Sequence, residues 1–408
     1  MRRRIAGTLT LLAIASVLAP SAQAAIDARW QAETGEIVHD TAFAPDGSIY
    51  VVGERLAKIS RAGFLAKYSA GGDLLWSKAW LPDPHASTTG VAVDVAPDGR
   101  VVWVGHVYGQ CEGNGWFMQV HRPSGVRLHR YVTPGWACEI AQNVSDVEVI
   151  AGRPQIVVSG YGHGCCGDPE QDGWVRGFTM GALPQWTAQF EPPAGVSPSY
   201  SDRATSVASA GGWVYVVGWA ATVPRDGETL RPAGMVVLQK MTLSGDVTWR
   251  KGAFRGRYGN ESTAVADARR GRVTIAVSSR VGTIGWGMNP PPEAWLGAFT
   301  TDGDRLWTRT WGTEWRFAAD PTGVSIDAAG HTWVVGTRRD PGDRGLDVFV
   351  RRFSPAGVLA DRSLIDGPER WLVGTGVDTL GVRGSVAGAA TNRFNESTSG
   401  RVWVVGVV

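Results

Sequence analysis

Cysteine is scarce in this chain of 408 residues: there are four, all between positions 111 and 166. So few excludes a disulfide-dense scaffold. Methionine is scarce too, at six, and no Lys/Arg cluster appears beyond the N-terminus. Without a concentrated basic footprint, nucleic acid is excluded as a partner, and so is electrostatic attachment to an anionic membrane. Past the first 24 residues no stretch approaches the ~18 apolar residues a spanning helix needs. HExxH, phosphate-loop and nucleophile motifs are also missing, which excludes enzymes recognisable from a linear motif but not sites assembled from several segments.

What is present begins with an export signal. Arg2, Arg3 and Arg4 precede "IAGTLTLLAIASVLAP", which closes on Ala22-Gln23-Ala24, a small-residue cleavage site. Residues 1–24 are therefore expected to be a signal peptide and 25–408 a single domain, exported to the periplasm or beyond, not inserted in a membrane, and monomeric. Losing three arginines takes Lys+Arg from 40 to 37 against 38 acids, a mature charge of about −1.

Fifty-four glycines and nineteen tryptophans describe short strands, tight turns and large packed rings. "GDLLWSKAW" at Gly72, "GDVTWRKGAF" at Gly245 and "GDRLWTRTW" at Gly303 are the same turn and strand written three times. Counting eight residues from the end of each preceding strand gives six copies: Tyr68 to Trp76, His121 to His129, Phe178 to Trp186, Met241 to Trp249, Phe299 to Trp307 and Phe353 to Asp361. Gly72, Gly125, Gly181, Gly245, Gly303 and Gly357 lie in the turns, where a hairpin needs positive φ. A second signature, β-branched and ending in a small residue, occurs seven times, from "IYVVG" at Gly53 to "SVAG" at Gly388.

Four antiparallel strands per unit, repeated every 50 to 60 residues, predict an all-β, seven-bladed β-propeller. The last unit stops at "GRVWVVGVV", and "DARWQAETG" carries Trp30 where other copies carry their fourth-strand tryptophan. The N-terminal strand is thus expected to close the last blade. Trp30, Trp76, Trp186, Trp249 and Trp307 are expected to pack between blades; His129 and Asp361, polar in that slot, read as exposed.

"GFLAKYSAGGDLLWSKAW" and "DVFVRRFSPAGVLADRSL", with the "IDAAGHTWVVGT" stretch before the latter, resemble the seven-bladed β-propeller repeats of bacterial exported proteins. That resemblance implies architecture and no activity. The Gly-x-x-x-Trp turn also resembles the tryptophan-docking repeat of pyrroloquinoline-quinone propellers, some of which carry a vicinal disulfide; Cys165-Cys166 is the matching feature here.

Cys111, Cys138, Cys165 and Cys166 are disulfide candidates on one face, their pairing left open, and no metal or cofactor is expected. His106, His163, Trp219 and Trp286 are candidate binding-loop residues on the same face. The expected role is a non-catalytic binding or scaffold module engaging a protein or glycan. The alternative is a propeller enzyme with an axial-funnel site, a lyase or hydrolase or a quinone-dependent dehydrogenase. A binding module predicts unperturbed ionisable groups; an enzyme predicts carboxylates or histidines converging at the funnel with shifted pKa values.

Overall fold

The structure is a computed structural model that describes residues 26–407, apart from 34–35, 57–59, 84–85, 110–113, 134–139, 154, 165–170, 195–201, 223–232, 256–262, 281–291, 313–317, 340–345, 366–371, 381–382 and 392–397. The described elements are all strands, paired antiparallel with their neighbours. Six blades each take four strands consecutive in the chain. Their innermost strands are Ile37–Phe43, Ser87–Val95, Ile140–Val149, Asp202–Ala210, Thr263–Arg269 and Ala318–Ile326.

A further four-stranded sheet is composite. Leu372–Leu380, Arg383–Thr391 and Thr398–Val407 are joined at the outer edge by Ile26–Glu33, in register from Ile26 opposite Val407 to Glu33 opposite Arg401. The expectation of a seven-bladed propeller is corrected accordingly. Six blades repeat one chain-consecutive plan; the composite sheet is described mainly by its backbone pairing, and the packing expected of Trp30 lies outside the described residues. Its inner strand, Leu372–Leu380, lies against the inner strands of blades one and six.

Burial follows position in the blade. Blade one's second strand, Ile49–Leu56, is buried over its first six residues because neighbouring blades cover both its faces, whereas the outermost, Leu74–Trp80, has no fully buried residue. Large rings fill the seams. Between blades two and three, Trp116 stacks on Trp174 at 5.3 Å and meets Phe178 edge-on at 5.9 Å. Removing one such ring from water is worth roughly 4–6 kcal/mol before entropy is counted.

Fourth-strand tryptophans cross to the next blade. The indole N–H of Trp76 donates to Pro123 O at 3.1 Å, that of Trp186 to Leu243 O at 2.9 Å and that of Trp307 to Pro355 O at 3.0 Å. Each ring lies on the positive-φ glycine of that blade's hairpin: a Cβ on Gly245 would come within 2.7 Å of Trp186 and one on Gly357 within 2.5 Å of Trp307. Of the two polar exceptions, His129 is exposed. Asp361 is not, and the reason is charge: at 3% exposure it accepts from Arg352 at 3.2 Å, and Arg352 also reaches buried Asp327 at 3.2 Å.

Candidate functional site at the axis

One register shift recurs at the same place in the inner strands, between Val38 and Asp40, Gly90 and Ala92, Val144 and Asp146, Ala204 and Ser206, Pro321 and Gly323, and Gly374 and Gly376. A bulge re-aims the side chains that follow it. Here they turn onto the axis, around a cavity of about 190 Å³ lined by all seven inner strands.

Six carboxylates face this cavity: Asp40, Asp94, Asp146, Glu148, Asp267 and Asp378. Five of them bracket one blade to the next. Asp40 accepts the backbone N–H of Val93 at 3.0 Å, and Asp146 that of Val207 at 2.9 Å. One tier further along the axis, Asp94 accepts from Val149 at 2.6 Å, Asp267 from Ile326 at 2.5 Å and Asp378 from Phe43 at 2.8 Å. The last ties the composite sheet to blade one. Glu148 accepts from the Ser209 hydroxyl at 2.5 Å.

Removal from water dominates the titration of this ring. Burial pushes Asp94 up to about 7 and Asp146 up to about 6, against the hydrogen bonds they accept. It also raises Asp378 and carries Asp40 and Glu148 well above the usual carboxylate range, Glu148 further because Asp94 stands beside it. Arg269 closes one end. Its guanidinium lies 3.5 Å from Asp267 and 3.4 Å from Asp378, and those acids raise its pKa. Among the described residues no group of His, Cys, Asp and Glu is arranged to hold a metal ion.

The other end is the loop face, and there the chemistry changes. His39, on the bulge of blade one, lines the cavity with its buried Nε2 unpartnered among the described residues, and burial lowers its pKa. Glu54 is 7% exposed, paired with Arg61, and accepts from the Thr89 hydroxyl at 3.0 Å. His106 Nε2 lies 2.9 Å from Val144 O, which can only accept, so this nitrogen carries the ring proton. His106 Nδ1, 2.9 Å from the Tyr108 hydroxyl, therefore accepts from it. Burial keeps His106 neutral by lowering its pKa and raises that of Tyr108, which Glu54 and Tyr161 push further up. Tyr161 lies under the guanidinium of Arg203, 4.8 Å from its ring.

Glu54, His106, Tyr161 and Trp219 each follow the signature glycine of their blade, at Gly53, Gly105, Gly160 and Gly218. Of the expected binding residues, His106 belongs to this rim. Trp219 sits in strand Trp213–Thr222 at 7% exposure, beside Gly234, so it is packed rather than displayed. His163 pairs by backbone with Ala141 and Gln171, but its side chain, Trp286, Cys111, Cys138, Cys165 and Cys166 lie outside the described residues. Glu54, Tyr108, Tyr161, Arg203 and His39 were not singled out from the sequence. The signal for two of them was present, as the residue directly after each signature glycine.

The convergent, pKa-shifted groups overturn the expectation of a non-catalytic module with unperturbed ionisable residues, and favour the alternative of an axial-funnel enzyme. No helix among the described residues is long and apolar enough to cross a membrane.

No family profile matches the chain, and no curated protein matches it by sequence, so the expected membership of a bacterial exported repeat family is not upheld. Solved structures do match. The polysaccharide lyase Uly1 superposes with a TM-score of 0.59 at 8% identity, over 93% of this chain and 100% of that one. An ulvan lyase of a further polysaccharide lyase family gives 0.52 at 11% identity, over 92% and 96%. A Dyadobacter fermentans protein of unknown function gives 0.52 at 9% identity, over 94% and 99%. At such identities the likeness is one of fold: the chain shares the propeller architecture of these proteins.

Proposed function

We propose that the protein is an enzyme that cleaves a carboxylate-bearing glycan by β-elimination at the loop-face mouth of its axial funnel. The observation that carries this reading is the His106–Tyr108 pair, with the imidazole tautomer set by Val144 O and its free Nδ1 lone pair aimed at the phenol. Tyr108 Oη takes the proton α to the substrate carboxylate as its own proton passes to His106 Nδ1. The released C–H electron pair becomes the C=C bond, and the C–O bond to the leaving sugar breaks. The proton held by the pair returns through Tyr108 to the leaving oxygen. Arg203, stacked on Tyr161 beside the pair, supplies positive charge for the substrate carboxylate as negative charge builds on it.

Hydrolysis by two carboxylic acids fits less well. It needs acids on either side of the scissile bond, about 5–9.5 Å apart. The axial aspartates instead accept the N–H groups that hold neighbouring blades together. The shared fold with two polysaccharide lyases guides the choice of test substrates.

The test incubates the wild-type protein with polygalacturonate, alginate, ulvan and neutral arabinan, and follows new reducing ends together with ultraviolet absorbance from a conjugated double bond. Elimination gives both signals on an acidic polymer and neither on arabinan. Reducing ends without the absorbance would reveal hydrolysis, and no cleavage of any acidic polymer would overturn the reading.

A further inference from the structure

The seam between blades five and six carries two arginines with no acid set against them among the described residues. Arg351 and Arg362 stand directly opposite each other on the third and fourth strands of blade six, so their side chains leave the same face of the sheet. That face is turned to blade five, for the Arg351 guanidinium lies 4.8 Å from the ring centre of Trp311. Like charges in such a pair repel. Burial together with Arg362 and Arg338 brings Arg351 down to about 10. Neither Arg351 nor Arg362 has a carboxylate partner among the described residues, whereas Arg352 on the opposite face is held by Asp327 and Asp361.

The setting suits a ligand. Trp311 packs on Phe349 at 6.1 Å and Phe353 at 5.7 Å, which gives the seam an apolar floor, and Arg362 is exposed, which leaves it open to solvent. Guanidinium forks match the planar or tetrahedral oxygens of carboxylate, sulfate and phosphate. We propose that this seam binds an oxyanion, a carboxylate, sulfate or phosphate group, between Arg351 and Arg362. A bound anion offsets the repulsion of the pair and is drawn to its two positive charges. The site is separate from the funnel mouth and does not depend on the reaction proposed for it.

The experiment follows thermal unfolding and tryptophan fluorescence as sodium sulfate, sodium phosphate or sodium galacturonate replaces sodium chloride at constant ionic strength. Wild-type protein should show a saturable rise in Tm of a few degrees and a change in fluorescence. Arg351→Gln and Arg362→Gln should each lose the saturable response, and Arg362→Gln, relieved of repulsion, should have an anion-free Tm no lower than wild type. A response to galacturonate alone assigns a carboxylate ligand; a response to sulfate and phosphate alone assigns a tetrahedral one. No saturable response in wild type, or an equal response in both variants, would overturn the proposal.

Discussion

At the scale of single residues, the fourth-strand tryptophans and the hairpin glycines of the following blades form matched pairs. Trp76 lies on Gly125, Trp186 on Gly245, Trp249 on Gly303 and Trp307 on Gly357. Blade two has exposed His129 in the tryptophan slot, and the next hairpin, in blade three, has Ala182 at the left-handed position with φ 62°. With no ring to receive, that turn tolerates a methyl. Gly357→Ala should therefore cost roughly 2–4 kcal/mol, combining a left-handed alanine with pressure on Trp307, while Ala182→Gly should change stability by less than about 1 kcal/mol. Thermal denaturation of the two variants checks this, and a Gly357→Ala protein as stable as wild type would contradict the pairing. The eight-residue spacing made the slot legible in the sequence. It placed blade three's turn glycine at Gly181, one residue early, because composition cannot show that an alanine has taken positive φ. Nor could it show that Asp361 is buried, since its partner Arg352 was not recognisable as an interior charge.

At the scale of strands, the inner strands do two jobs with one bulge. Their aspartates hold neighbouring blades together, and the same turn of the backbone aims His39 into the funnel. The ring is stabilising when protonated. Asp94 and Asp146 have folded pKa values of about 7 and about 6, above the unfolded value near 4, so their contribution is fully present below pH ~4 and is lost as pH rises through 6 to 7. Wild-type Tm should accordingly fall between pH 5 and pH 8. Asp94→Asn, which keeps an oxygen acceptor and cannot ionise, should flatten that fall; an equally steep profile would contradict a protonated axial ring. His106 titrates in the opposite sense to these acids. Its pKa is lowered by burial, so the pair with Tyr108 should lose its competent form in more acid solution than a free imidazole would, seen as an acid limb of the rate profile displaced to lower pH. The axial acids were invisible as a set in the sequence. Apart from Asp146 and Glu148, successive members sit some 50 to 120 residues from one another in ordinary turn-like contexts, and only the gathering of the inner strands round the axis brings them together.

At the scale of the whole molecule, both chain ends share one sheet. Ile26–Glu33 covers the edge of Thr398–Val407, and Asp378 accepts from Phe43 across to blade one. Deleting residues 26–33 should expose that edge and lower Tm by many degrees; an unchanged melt would show that the N-terminal strand contributes nothing to the fold. The repeat signatures made this pairing legible, because the strand missing from the last unit could be found at the other terminus. The functional face was less legible. Glu54, His106, Tyr161 and Trp219 occupy one register position in four blades yet share no residue type, so no repeated letter marks them. Tyr108 becomes meaningful only through its distance to His106.

The most direct measurement is the steady-state cleavage of an acidic glycan by Tyr108→Phe beside wild type, with Tm recorded for both. The hydroxyl is all that the substitution removes. The account predicts kcat reduced about 10²–10⁴-fold with KM and Tm little changed. Wild-type kcat in the phenylalanine variant would contradict a proton-transferring Tyr108–His106 pair.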